Sequence, residues 1–130
     1  MILALRTDSN ISEYYLLDTD GRVKRELKWE SGRELADGIH QKIGELLGNS
    51  KLDHLIGLIV FSGPGSFTGL RIGVTVANAL AYAHSLPIVG SNGDEWLRQG
   101  RDKLTSGGNE YQVLPHYGAE PKITKPGKSA

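Results

Sequence analysis

The densest chemistry in the chain lies in Ser62-Gly-Pro-Gly-Ser-Phe-Thr-Gly-Leu-Arg-Ile-Gly73, where glycines alternate with Pro64 and the hydroxyls of Ser66 and Thr68. A glycine-rich loop before a helix is the usual cradle for phosphate, yet a Walker loop has four residues between its glycines and then Lys-Ser/Thr. Here Gly65 and Gly69 enclose three, and Leu70-Arg71 follow. The N–H groups of Phe67, Thr68 and Gly69, with Arg71 beside them, offer only the weak anion affinity common to helix starts. Ser66 suits an N-cap. Ser62, Ser66 and Thr68 have no nearby His-Asp arrangement, which speaks against a peptidase-like nucleophile. His40, His54, His84 and His116 are scattered without metal-ligand spacing, and the chain has no cysteine. Asp18 with Asp20 fits a hairpin turn, and Asp94 with Glu95 a helix start. The residues therefore predict no catalytic, cofactor-binding or metal site.

Spacing favours a packing role for the motif. Gly69, Gly73, Ala77 and Ala81 recur every four residues and form a ridge without bulk. The helix that carries them, Leu70 to Ala83, is apolar nearly all round, with Asn78 a strongly polar interruption. Such a helix must be covered on two sides. The ridge faces either another helix, in a partner or a second copy, or the protein's own sheet. The expected partner interface comprises Gly69, Leu70, Gly73, Ala77, Asn78 and Ala81, with Leu35, Ile39 and Ile43 of a preceding helix.

The elements that position these residues follow from pattern. Met1–Leu5, Glu13–Leu17 and Arg22–Trp29 read as a three-stranded antiparallel meander, with the Asp18–Gly21 turn between the last two. Ser31 and Glu34 form a capping box ahead of a helix with the stripe Leu35, Ile39, Ile43, Leu46, Leu47, ended by Gly48-Asn49. Leu55–Phe61 is a continuous apolar run that suits a central strand. Pro87–Gly90 gives another strand, and Glu95–Leu104 a shorter helix. The order β-β-β-α-β-α-β-α predicts an α/β fold, a single ribonuclease-H-like lobe with a mixed sheet, over residues 1–104. Residues 105–130, rich in Pro and Gly, predict an irregular tail along the surface.

The 130 residues suit one domain, and 15 basic against 15 acidic side chains leave no net field for nucleic acid or an anionic membrane. No apolar run approaches the ~20 residues of a membrane span, and the absence of cysteine fits a reducing compartment, so a cytoplasmic protein is expected.

"GPGSFTGLRIGVTVANAL" closely resembles the signature of the bacterial TsaB (YeaZ) family, which belongs to the actin-like, sugar-kinase-like superfamily. "ILALRTDSN", "ELADGIHQKIGELL", "LDHLIGLIVF" and "LPIVGSN" stand where that family has its first strand, first helix, central strand and following strand. The resemblance covers about residues 1 to 95. It implies a non-catalytic subunit that pairs with the catalytic TsaD, in a system with the ATPase TsaE, to place a threonylcarbamoyl group on the tRNA adenosine beside the anticodon. Contact with tRNA would be indirect or through the tail lysines Lys122, Lys125 and Lys128. The chain departs from the family in three places. Arg6 stands where relatives usually carry an aspartate, the second lobe is largely missing, and Phe61-Ser62 replace a frequent Gly-Arg.

Overall fold

The computed structural model describes residues 1–48 and 52–117. Strands β1 (Ile2–Arg6), β2 (Ile11–Leu17) and β3 (Val23–Glu30) form the antiparallel meander. Helix α1 (Leu35–Leu47) leads to β4 (Gly57–Phe61), α2 (Phe67–His84) to β5 (Ile88–Ser91), and α3 (Trp96–Thr105) follows. The five-stranded sheet runs β3-β2-β1-β4-β5, with β4 parallel to both β1 and β5. This is the mixed α/β lobe that the element order predicts. Among the described residues no helix is long and apolar enough to cross a membrane.

Strand alternation sorts the core into two layers. Leu3, Leu5, Tyr14, Leu16, Leu58, Val60 and Ile88 belong to a cluster with the buried residues of α1 and with Val74, Ala77 and Ala81 of α2. Ile2, Ala4, Tyr15, Leu17, Ile59, Phe61 and Val89 belong to a second cluster with Trp96 of α3. The predicted α1 stripe of Leu35, Ile39, Ile43, Leu46 and Leu47 is buried throughout. Gly48 ends the helix at φ 58, in the region that favours glycine, and Asn49 lies outside the described residues.

The capping box does not form. Ser31 is buried, with its hydroxyl 2.8 Å from that of Ser12 and 3.3 Å from the Asn10 carbonyl, and a 3-10 turn at Gly32–Glu34 precedes α1. Two buried hydroxyls satisfy each other, which takes the serine from its cap role. At the hairpin, Asp18 accepts from the backbone N–H groups of Asp20 and Arg22 at 3.0 and 2.9 Å. These bonds, that from Arg22 foremost, hold its carboxyl below the usual range.

Beyond α3, residues 106–117 form no regular element, yet they do not simply run along the surface. Val113 is buried, and Asn78 of α2 grips its backbone in both directions, donating to the Val113 carbonyl at 3.0 Å and accepting from its N–H at 2.9 Å. The remaining tail, with its three lysines, lies outside the described residues.

Candidate functional site

In open α/β sheets ligands collect beyond the C-terminal ends of the strands, where chain connections diverge to either side. Here that point lies between β1 and β4, and the chain itself fills it. The Ser62–Ser66 loop and the first turns of α2 press onto Thr7 and Asp8. Ser66 N–H donates to the Asp8 carbonyl at 3.0 Å, and the Thr7 hydroxyl donates to the Gly69 carbonyl at 2.7 Å. A Cβ at Gly65 would collide with the Asp8 side chain, one at Gly69 with the Thr7 carbonyl, and one at Gly73 with the Thr7 hydroxyl. The glycines are there because strand and helix backbones approach too closely for side chains. Ser66 is the N-cap that the sequence predicts, accepting from Gly69 N–H at 3.4 Å, so one of the three candidate anion donors is already engaged.

Arg6 occupies the same mouth. Its Nε lies 2.8 Å from Asp8 Oδ1 and its Nη2 3.1 Å from Oδ2, a two-bond fork, while the guanidinium carbon sits 3.9 Å from the centre of the Phe61 ring. Burial works against the Arg6 charge, but the Asp8 hydrogen bond and charge outweigh it and raise its pKa. Both carboxylate oxygens of Asp8 are thereby committed within the protein. Nearby, burial and then the bond to Glu13 push the Tyr15 phenol well above its ordinary range.

The hydroxyls of the loop are also engaged. Ser62 is buried and donates to the Ser91 carbonyl at 3.3 Å. His40, His54 and His116 are exposed on separate parts of the fold.

The small-residue ridge turns inward. Leu70, Ala77 and Ala81 are buried, Gly73 lies against Thr7, and Leu35, Ile39 and Ile43 are buried beneath α1. The expected partner interface on these residues is thus already covered by the protein's own sheet, and Asn78 holds the C-terminal segment instead. Spacing identified a face that must be covered, but the close approach is strand to helix.

The uncovered face of α2 lies on the adjoining rows. Phe67, Thr68, Arg71, Ile72, Thr75 and Val76, with Ala36 and Ile39 of α1, line a groove of about 420 Å³. Phe67, 47% exposed, stacks on Tyr117 with ring centres 4.3 Å apart. These residues were missed as a group, although Phe67, Arg71 and Thr75, like Thr68, Ile72 and Val76, also recur every four positions.

A sequence model of the family described as TsaD, tRNA N6-adenosine threonylcarbamoyltransferase, matches residues 30–101. The chain is 41% identical over 63 residues to the tRNA threonylcarbamoyladenosine biosynthesis protein TsaB of Haemophilus influenzae, covering 43% of this chain and 27% of that protein. It is 55% identical over 31 residues to TsaB of Bacillus subtilis, covering 24% and 14% of the two chains. The YeaZ structure from Pseudomonas aeruginosa superposes with a TM-score of 0.62 at 27% identity, over 70% of this chain and 42% of that one. The chain belongs to the TsaD family, in its TsaB (YeaZ) group.

A tRNA N6-adenosine threonylcarbamoyltransferase of Geobacter sulfurreducens is also similar, 39% identical over 64 residues, covering 48% of this chain and 19% of that protein. The chain thus spans about a quarter of the length of the Haemophilus TsaB and less than half of the solved YeaZ. The TsaB-type motif sits at the start of α2, where its glycines meet Thr7 and Asp8.

Proposed function

We propose that this TsaB-group chain is a non-catalytic partner subunit in threonylcarbamoylation of the tRNA adenosine next to the anticodon. In this reading the lobe of residues 1–104 supports a TsaD-like catalytic subunit in the cytoplasm. A TsaE-like ATPase works in the same system, and tRNA is touched only indirectly. The observation that carries the reading is the mouth beyond β1, where Arg6 holds both oxygens of Asp8. A carboxylate so paired is a poor ligand for a metal ion or for the cation side of a nucleotide complex.

Partner binding falls instead to the groove between α1 and α2. It presents Phe67, Ile72 and Val76 beside Arg71, the mixture of apolar surface and arginine that interfaces favour. The same groove suits a second copy of the chain, since Phe67 leaves apolar surface that self-association also buries.

The test is co-expression of the tagged chain with the TsaD-like protein of the same genome, followed by light scattering on the purified material. A stable mixed complex, lost with Val76→Glu, is expected. A chain that associates only with itself would establish the self-associating reading instead.

A further inference from the structure

The two edges of the sheet are protected by different means. Outer strand β3 carries Lys24, Arg25, Glu26, Lys28 and Glu30, charges that discourage a second strand from pairing. Outer strand β5 is Ile-Val-Gly-Ser, without a charge. Its outward backbone groups belong to Ile88 and Gly90, and residues 103–110 satisfy all four. Ile88 N–H donates to Asn109 Oδ1 at 3.1 Å, and the Ile88 carbonyl accepts from Glu110 N–H at 2.8 Å. Gly90 N–H donates to Glu110 Oε2 at 2.9 Å, and the Gly90 carbonyl accepts from Lys103 Nζ at 2.7 Å.

Three of these four bonds use side chains, so the segment is a substitute for a strand rather than a strand. It also stores strain. Asn109 Oδ1 accepts from Tyr111 N–H at 2.9 Å, and the turn that directs Glu110 back to β5 leaves Tyr111 at φ 63, a left-handed conformation costly for a bulky residue. The Tyr111 ring gains nothing in return, being 80% exposed.

We infer that the β5 edge is a strand-docking surface held closed by the 109–113 segment, and that its occupant when opened is the β5 strand of a second copy. The committed partner follows from the pattern of free groups. In an antiparallel pair, residues directly opposite exchange both N–H···O=C bonds at every second position. Two β5 strands related by a two-fold axis through Val89 place Ile88 opposite Gly90 of the other copy, and Gly90 opposite its Ile88. The four outward groups of each strand are then satisfied by backbone alone. Gly90 adds no side chain to obstruct the approach, and no charge on either strand opposes it.

The test replaces the two closing side chains that accept from β5 amides, in the double variant Asn109→Ala, Glu110→Ala, and compares it with the unaltered chain at equal concentrations. Any association through the α1–α2 groove is common to both. The variant is expected to gain mass with concentration in light scattering. Its Ile88 and Gly90 amides should exchange at least about tenfold faster than in the unaltered chain when dilute, and regain protection when concentrated. Fast amides at every concentration without added mass would overturn the inference, as would amides that remain slow when dilute. Tyr111→Gly gives a second reading should the double variant fail to fold. It removes the left-handed strain and is expected to slow exchange at Ile88 and Gly90 several-fold; unchanged or faster exchange would count against the strained closure.

Discussion

Replacing Gly73 by alanine distinguishes an inward ridge from an open one by sign. In an exposed helix interior this change is favourable by about 1 kcal/mol, because alanine loses less backbone entropy than glycine. At Gly73 the new methyl lands on the Thr7 hydroxyl and 3.0 Å from its Cγ2. Overpacking of that kind costs about 1–3 kcal/mol, and displacing Thr7 from the Gly69 carbonyl forfeits a hydrogen bond of about 1 kcal/mol. The net is a loss of about 1–3 kcal/mol. At roughly 4–8 °C per kcal/mol for a domain of this size, the melting temperature falls by roughly 5–20 °C. Gly44 is the internal control, since it is exposed on α1 and a Cβ there meets nothing within 4 Å. Gly44→Ala should raise the melting temperature. Thermal and urea unfolding of the two variants side by side measure the difference. Equal stabilisation by both would refute the packing of α2 on β1.

In the α1–α2 groove, Val76→Glu should weaken partner association in sedimentation at least about tenfold, or ~1.4 kcal/mol, in protein that a melting curve shows to be still folded, since Val76 also packs against the core. Asp18, whose carboxyl is held low by the Arg22 and Asp20 N–H groups, contributes stability that is present at neutral pH and lost as pH falls below the ordinary carboxylate value of 3.8. Asp18→Asn should therefore flatten the acid limb of a stability profile; an unchanged limb would exclude the contribution. Burial and Glu13 raise the Tyr15 phenol, so its contribution is complete below pH 10 and declines above it as the unfolded chain ionises first. Burial raises the Tyr14 phenol as well, so in an ultraviolet titration the folded protein should retain late-ionising tyrosines, one fewer after Tyr15→Phe.

The sequence revealed what local period determines. The α1 stripe and the apolar β4 run were legible because each pattern lies within its own element, and the mixed α/β lobe followed from the succession of elements. Ser31 was misread because its partner, Ser12, comes from a strand two elements earlier and competes with the local cap. The direction of the α2 ridge was hidden for a related reason. Four-residue spacing identifies a face without naming its neighbour, and Thr7 lies 62 residues from Gly69. Arg6 was visible only as a departure from the family's aspartate, and its fork with Asp8 forms over the Phe61 ring of another strand, a contact that no local pattern announces. The 109–113 segment offered no periodic signal at all, since Asn78 and Val113 are joined across 35 residues by amide geometry.

The central claim, a supporting rather than a catalytic chain, is tested most directly by measuring threonylcarbamoyladenosine formed on tRNA by the TsaD-like enzyme of the same genome. The reaction is run with its TsaE-like ATPase and with or without this chain, in unaltered form and as Asp8→Asn, which keeps the side chain's size while removing its charge. The account predicts that product rises when the chain is added, and by the same factor with the variant once its fold is verified. No rise on addition would contradict the supporting role, and loss of the rise with a folded Asp8→Asn would place catalysis at the mouth of β1.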